Sequence, residues 1–258
     1  MIVDAFTFHN ELELIRRRLT YLSPVVDKFI IVEATHTHRG EPKKLYFQDN
    51  PDMFTEWKDK IIHIVLDVIP PDDNPWTMEH MQRNYIAKGL VDIPDDAIVM
   101  ISDADEIPRT ELIQQLPKTL DTISVHMITF NYTIDYFQTF EKWFGTVISN
   151  RKNVLEKTPQ FFRDNRWKFP RVEFGGWHFS SFGDEHFLAN KLRSCAECYD
   201  EGFDENMAGK YMTEKLSHNG KFKLTKTPQA ILDTVPELFK KAFMTEHTRS
   251  TSSSVSSG

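Results

Sequence analysis

The residues of this sequence best suited to chemistry are the carboxylates of Asp103, Asp105 and Glu106, which follow the apolar run 98–101. Such a run, closed by a proline, predicts a buried strand, and in open α/β sheets ligands bind beyond the carboxyl ends of strands. Because strand side chains alternate, the spacing predicts that Asp103 and Asp105 project to one side, with Ala104 between them. Paired carboxylates suit Mg²⁺ or Mn²⁺ bridging to substrate phosphates. The alternative is a solvated acidic turn that caps the next helix.

The elements that would position these carboxylates alternate between strand and helix over the first half of the chain. Asn10, with Glu13 three residues later, resembles a capping box and predicts a helix start. The alternation predicts an α/β fold with a doubly wound sheet flanked by helices. The sequence predicts strands at 2–8, 28–33, 61–66, 97–102 and, as one or two strands, 123–137, and helices at 11–22, 78–90, 188–199 and 207–216.

The composition of the chain limits the classes of protein to which it can belong. The chain has 258 residues, 40% of them hydrophobic, which is enough for one sizeable core, and we expect a single domain over residues 1–243. Residues 244–258 are rich in Ser and Thr and predict a disordered tail or a vector remnant. The net charge is −7, with no block rich in Lys or Arg, so nucleic acid is not expected as a partner.

Neither a membrane span nor a targeting segment is visible in the sequence. Apolar segments are interrupted by charge before the roughly 18 residues that a span requires. Met1 leads directly into a predicted strand, so we expect a cytoplasmic protein. Cys195 and Cys198 stand alone without a second pair at zinc-site spacing, which favours two reduced thiols on a helix over a metal or redox site.

Several segments together resemble glycosyltransferase family 17, whose animal members add the bisecting N-acetylglucosamine to N-glycans. The resemblance implies a GT-A fold, a UDP-N-acetylglucosamine donor, a divalent metal and inversion at the anomeric carbon. The segments that carry it are Asp4-Ala5-Phe6-Thr7-Phe8-His9-Asn10-Glu11-Leu12, Val26-Asp27 through Glu33, Gly40-Glu41-Pro42, Asp103-Ala104-Asp105-Glu106-Ile107-Pro108, Gly176-Trp177-His178 with Ser180, and Lys191-Leu192.

A nucleotide-sugar reaction gives roles to the acidic residues. Charge develops on the departing diphosphate, and a metal held by carboxylates neutralises it as a Lewis acid. On this reading Asp105 is the direct metal ligand, and Asp103 contacts the ribose or a metal-bound water. The resemblance makes His178, beside two glycines, a candidate for a further ligand; a structural histidine is the alternative.

Other polar residues would lie along the same sheet edge. Asn10 and Glu11 follow the first predicted strand and Glu33 ends the second, where a base and ribose would bind, although helix capping is the alternative. Arg83, on the helix before the acidic strand, could bind the uracil or diphosphate through its fork of donors. An exposed helix arginine is the competing interpretation.

An inverting transfer needs a general base for the acceptor hydroxyl. Asp184 and Glu185 begin the helix that follows His178, a position that suits a base but is also common for helix-dipole partners. Glu106 and Glu79 remain competitors, and the sequence does not decide among the four.

The sequence departs from the animal members in ways that leave the acceptor open. Those proteins resemble Golgi enzymes with an anchor and several cysteines, so the acceptor here could be a lipid-linked, capsular or protein glycan. A sugar nucleotidyltransferase is the rival enzyme, but Phe8-His9-Asn10-Glu11 is not its glycine-rich phosphate loop. A non-catalytic module that binds glycans or nucleotide sugars is the rival from another class.

Overall fold

The computed structural model describes residues 1–117, 119–139, 142–196, 206–210 and 224–243. These residues form an α/β fold that divides into two compact units. Met1–Met127, Phe144–Gly176 and residues 194–196 make up the first unit, and the other described residues make up the second. No helix in the described ranges is both long and apolar enough to cross a membrane.

The first unit contains a mixed sheet, which confirms the predicted class. Its strand order is β6-β8-β4-β1-β2-β3, in which β4, β1, β2 and β3 pair in parallel and β8 pairs with β4 in the antiparallel sense; β5 pairs with β9 beside it. The strands are β1 (Ile2–Phe8), β2 (Lys28–Ala34), β3 (Ile61–Leu66), β4 (Ile98–Asp103), β5 (Glu106–Pro108), β6 (Ile123–Asn131), β8 (Trp143–Asn150) and β9 (Arg171–Ser180). The division between the units falls within β6, after Met127, and within β9, after Gly176.

Helices cover both faces of this sheet. Alternate residues of β1 and β4, such as Val3 and Val99, form one apolar cluster with residues of α3, α5 and α6. The intervening residue Asp4 contacts Arg18 of α1, on the other face. The helices of this unit are α1 (Leu12–Leu22), α2 (Pro75–Asn84), α3 (Ile86–Gly89), α4 (Thr110–Gln114), α5 (Arg151–Lys157) and α6 (Pro159–Asp164), with a 3₁₀ helix at Pro51–Trp57.

The second unit is smaller. In it β7 (Thr133–Gln138) pairs in the antiparallel sense with the end of β6 and with β10 (Leu224–Lys226). Its helices are α7 (Glu185–Ser194), α8 (Gln229–Leu232) and α9 (Glu237–Phe243), and residues 206–210 are also helical. The predicted tail at 244–258, Cys198 and the second half of the predicted helix 207–216 lie outside the described residues.

Several element boundaries differ from the sequence predictions. Asn10 does not cap α1: Glu11 occupies the N-cap position, and no side chain caps the helix. The predicted helix 78–90 begins earlier, at Pro75, because the Asn74 side chain accepts from the N–H of Trp76. That helix also ends at Asn84, before the short α3. The helix predicted at 188–199 ends at Ser194, so Cys195 follows a helix instead of lying in one.

Candidate functional site

The predicted carboxylates lie in a turn between two strands, which we call the acidic turn (residues 103–106). Strand β4 ends at Asp103, Ala104 and Asp105 form the turn, and Glu106 begins β5. The alternation that was expected to align Asp103 with Asp105 therefore stops at Asp103, and that argument from strand geometry was wrong. The turn does lie at the carboxyl end of a parallel strand, as predicted.

Two arginines bind the carboxylate of Asp103. Arg83 Nη2 from α2 donates to Oδ1 at 2.8 Å, and Arg163 Nη2 from α6 donates to Oδ2 at 2.6 Å. Both arginine side chains are nearly buried, whereas the Asp103 side chain remains 30% exposed. The carboxylate is thus held in a fixed position at the surface by two cations that lie beneath it.

Glu106 faces inward and completes this network. It is fully buried, and its two carboxylate oxygens accept from Arg163 Nη1 at 2.8 and 3.0 Å. One of them also accepts from the backbone N–H of Asp103 at 2.9 Å. Burial opposes the charge of Arg163, but the carboxylates of Asp103 and Glu106 outweigh it and raise the pKa of this guanidinium. Arg163 is therefore a permanent cation of the site. The same contacts leave Glu106 poorly suited to act as a general base.

A β-carbon at Gly145 would lie only 2.7 Å from the carboxyl carbon of Glu106. A side chain at this position on β8 would therefore force Glu106 or Met127 to shift and would disturb the Glu106–Arg163 pair.

Arg83 is the predicted donor-binding arginine, and the structure rules out the alternative of an exposed helix arginine. Its side chain is 2% exposed. Besides Asp103, it donates to Glu79 at 3.1 Å and to the side chain of Gln160 on α6 at 2.6 Å. Its Nε is buried without a hydrogen-bond partner among the described residues.

His38 belongs to the same region, and the sequence analysis missed it. Its Nε2 lies 3.2 Å from Oε1 of Gln82, and its Nδ1 lies 4.0 Å from a carboxylate oxygen of Glu79. Burial lowers the pKa of His38, although Glu79 acts in the opposite direction. A histidine in a polar stretch without strand or helix periodicity gives no sequence signal for this position. Only the fold brings it to α2.

Glu33 lies on the other side of the sheet. It follows Phe29 and Ile31 at alternate positions, whereas Ile30 and Val32 belong to the cluster on the α3 and α6 side. Its buried carboxylate accepts from the N–H groups of Phe47 and Gln48. Lys43 lies 3.6 Å away, and its pKa is lowered by burial against the opposing charge of Glu33. Glu33 therefore anchors the segment after β2. A contact between Glu33 and the nucleotide remains a prediction.

Asn10 and Glu11 follow β1, as predicted. Glu11 Oε2 accepts from the N–H groups of His9 and Asn10 at 3.2 and 3.0 Å and so closes a tight turn. The side-chain oxygen of Asn10 is buried and has no hydrogen-bond partner in the described part of the chain. This unused acceptor makes Asn10, of the two residues, the better suited to bind a ligand N–H.

The remaining predicted residues belong to the second unit. His178 is buried in β9 and stacks on Trp143, with ring centroids 4.8 Å apart. Asp184 precedes α7, and its Oδ1 accepts from the N–H of Phe187 at 2.8 Å, so its side chain caps this helix. Glu185 is exposed in the first turn of α7. Whether any of the three acts on a substrate stays a prediction.

Across the described ranges, no three His, Cys, Asp or Glu side chains are grouped as a ready-made metal site. A Mg²⁺ ion that bridges to phosphates needs only one or two protein carboxylates. Both oxygens of Asp103 accept from arginine, so the residues present fit such an ion through Asp105, which is half-buried at the tip of the acidic turn.

Comparisons with known proteins agree with the resemblance seen in the sequence. The chain is 29% identical over 118 residues to the beta-1,4-mannosyl-glycoprotein 4-beta-N-acetylglucosaminyltransferases of Rattus norvegicus and Homo sapiens. These matches cover 43% of this chain and 22% of each relative, so the match spans about a fifth of the relatives' length.

Among solved structures, HddC from Yersinia pseudotuberculosis is similar with a TM-score of 0.42 and 11% identity, covering 69% of this chain and 92% of that one. The WbbM bifunctional glycosyltransferase is similar with a TM-score of 0.37 and 12% identity, covering 86% of this chain and 45% of that one. The model of glycosyltransferase family 17 matches residues 1–182, which is more than half of the chain. The protein therefore belongs to glycosyltransferase family 17.

Proposed function

We propose that this protein transfers a sugar from a nucleotide-diphosphate sugar to a glycan acceptor, and that the donor binds at the acidic turn. The observation that carries the proposal is the carboxylate of Asp103, exposed at the carboxyl end of a central parallel strand and fixed from below by Arg83 and Arg163. Ligands bind at this edge of open α/β sheets. Membership of glycosyltransferase family 17 supports the reaction class.

The arginines around the acidic turn suit a diphosphate leaving group. Arg83 and Arg163 bring two buried positive charges within hydrogen-bond distance of the exposed Asp103 carboxylate. Preorganised donors aimed at developing charge lower the barrier because they need no reorganisation during the reaction. On this proposal Arg83 stabilises the departing diphosphate, while Arg163 stays bound to Glu106 and keeps the acidic turn in place.

A divalent ion, Mn²⁺ or Mg²⁺, is proposed at Asp105. Bound there, it would supply Lewis-acid neutralisation of the leaving diphosphate. Asp103 would then contact the ribose or a metal-bound water, a role that its fixed orientation supports. The sequence prediction that His178 is a further ligand is kept as a prediction; its ring stacks on Trp143.

The donor and the stereochemistry are proposed from the resemblance to glycosyltransferase family 17. The relatives' name gives an N-acetylglucosaminyltransferase, so we propose UDP-N-acetylglucosamine as donor, a glycan as acceptor and inversion at the anomeric carbon. For the general base we retain Asp184 and Glu185, because Glu106 is engaged by Arg163 and Glu79 by Arg83. Glu185 is the better candidate of the two, since Asp184 already accepts a backbone N–H.

A donor-hydrolysis screen tests this proposal without knowledge of the acceptor. Purified protein with Mn²⁺ is incubated with UDP and GDP sugars, and released nucleotide is measured. We expect UDP-N-acetylglucosamine to be hydrolysed faster than UDP-glucose or UDP-galactose, with Asp105→Asn as the inactive control. Preference for a GDP sugar would refute the uridine donor. Absence of both hydrolysis and nucleotide binding would refute the transferase proposal and favour a glycan-binding module.

A further inference from the structure

Arg18 lies on α1, on the face of the sheet away from Arg83 and Arg163, and its side chain is fully buried. Its guanidinium pairs with Asp4 of β1 through two hydrogen bonds, from Nε at 2.8 Å and from Nη2 at 2.6 Å. Asp4 is also fully buried. A charge pair enclosed in this way has to satisfy every donor, because an unused buried charge is strongly unfavourable.

The other donors of Arg18 converge on the acidic turn. Nη1 donates to the backbone carbonyls of Asp103, Ala104 and Glu106 at 2.9, 3.2 and 2.7 Å. Nη2 also donates to the hydroxyl of Ser102 at 2.6 Å. One guanidinium therefore binds three carbonyls within four residues of backbone.

This arrangement explains how an irregular turn can have a fixed shape. Buried backbone carbonyls need donors, and here a single planar guanidinium supplies them for the turn residue Ala104 and for the strand ends Asp103 and Glu106. Stacking of the Arg18 guanidinium on the ring of Phe6, at 4.4 Å from the centroid, adds a further constraint on its plane. The side chains of the turn are then presented from a backbone that cannot relax without breaking the Arg18–Asp4 pair.

We propose that Arg18 and Asp4 form a positioning pair that sets the geometry of the acidic turn for the reaction. Arg18 is not a catalytic residue, because it is enclosed and all of its N–H groups have protein acceptors. It acts through the backbone of residues 103–106, which carries Asp103 and Asp105. The reaction itself rests on the proposed function above, whereas the control of the turn's shape does not.

The test uses Arg18→Lys in the full chain. Lysine retains the charge opposite Asp4, but its single ammonium cannot reach Asp4, Ser102 and three carbonyls at once. Hydrogen–deuterium exchange of the peptide that covers residues 103–108 should become about tenfold faster or more, while exchange in β2 is unchanged. Donor hydrolysis should fall at least about tenfold in kcat with a smaller change in KM, because an orientation effect acts mainly on the transition state.

Two further variants separate positioning from general stability. Ile15→Val removes one methylene from the same buried face of α1 and should leave both turn exchange and kcat unchanged below its Tm. Ser102→Ala removes one Arg18 contact and should still fold if Arg18→Lys does not. In it, turn exchange should rise and kcat should fall, each by about threefold.

The outcomes are distinct. Unchanged exchange at the turn in folded Arg18→Lys, or in Ser102→Ala if Arg18→Lys does not fold, would overturn the inference. Faster exchange with unchanged kcat would also overturn it, because the turn's shape would then not matter for the reaction. If the wild-type protein hydrolyses no donor, the proposed function fails. The exchange experiment then still decides whether Arg18 holds the turn.

Discussion

The acidic turn and the start of α7 both present carboxylates that the sequence marks for catalysis, but in contrasting surroundings. In the turn, Asp103 and Glu106 are bound by arginines that are almost completely buried. At the start of α7, Asp184 and Glu185 are exposed, and the contact of the Asp184 carboxylate is with the N–H of Phe187 in its own helix. The first region is held by contacts between distant elements and the second by local ones.

The two regions therefore contain carboxylates suited to different roles. Carboxylates held by buried cations are suited to binding a metal or a substrate by electrostatic attraction, because their orientation is set before the substrate binds. Exposed carboxylates at a helix start keep an ordinary, solvated environment, in which a base can exchange protons with water. Replacing a partner in the buried arginine–carboxylate network of the first region should therefore lower stability, whereas replacing the exposed acids of the second should leave the fold nearly intact.

The largest effect is expected from Asp105→Ala. Asp105 is half-buried in the acidic turn and is the proposed metal ligand, so its loss should lower the rate of transfer or donor hydrolysis by about 10³-fold. Circular dichroism should report an unchanged fold. Asp103→Asn should be less severe, because the amide can keep one arginine contact. Near wild-type turnover of Asp105→Ala would refute the proposal that Asp105 is the metal ligand.

Arg163→Met should cause the largest loss of stability. It leaves the fully buried Glu106 without its cation, and breaking a buried pair in this way costs about 3–5 kcal/mol in the free energy of unfolding. Urea unfolding measures this. The matched control is Arg16→Met on α1, whose pair with Glu13 is about half exposed; there the loss should be below about 1 kcal/mol. An equal loss of unfolding free energy in the two variants would contradict the claim that the buried ion pair stabilises the fold more than the exposed one.

Replacing the exposed acids at the start of α7 should affect catalysis more than stability for Glu185, and stability by only a small amount for Asp184. Glu185→Ala should reduce kcat for transfer by about 10²-fold if Glu185 is the base, with little change in UDP affinity or stability. Asp184→Ala should lower the free energy of unfolding by about 1 kcal/mol, since it removes a helix cap. Kinetics at saturating donor measure the change in kcat, and thermal unfolding measures the change in stability, for each variant. If both variants transfer at wild-type rates, the general base does not lie at the start of α7.

The smallest effect is expected in the pH dependence of the unfolding free energy. Burial lowers the pKa of His38 in the folded protein, with Glu79 opposing, so the unfolded state binds the proton more readily. Stability from this residue is present above the unfolded value of about 6.5 and is lost as pH falls below it, by at most about 1.4 kcal/mol per pH unit. His38→Gln should flatten the fall in unfolding free energy between pH 6.5 and pH 5. An identical pH slope in the variant would contradict the assignment.

Local patterns predicted most of the parallel strands and the position of the acidic turn. The apolar run 28–33 matches β2 because buried parallel strands are almost continuously apolar. The run 61–66 matches β3, whose residues are mostly half-buried at the end of the sheet. The capping box at Asn10 failed, because Glu11 turns back to bind the N–H groups before it. Propensity alone does not distinguish these two local hydrogen-bond patterns.

The partners of the acidic turn could not be predicted from local sequence. Arg18, Arg83 and Arg163 lie 20 to 88 residues from the residues that they bind in the turn. Nothing in their immediate sequence marks them as buried, since arginines on amphipathic helices are usually exposed. The sheet brings α1 to one face of β4 and α2 and α6 to the other, and only this topology makes the three arginines neighbours of one turn.

The central claim is that the acidic turn binds the donor's diphosphate together with a divalent ion. Calorimetric titration of UDP into the wild-type protein and Asp105→Asn, each with Mn²⁺ and with chelator, tests it most directly. We predict that Mn²⁺ strengthens UDP binding to the wild-type protein by about tenfold or more and that the variant loses this gain. Equal UDP affinity with and without Mn²⁺ in the wild-type protein, or a full gain in Asp105→Asn, would contradict the account.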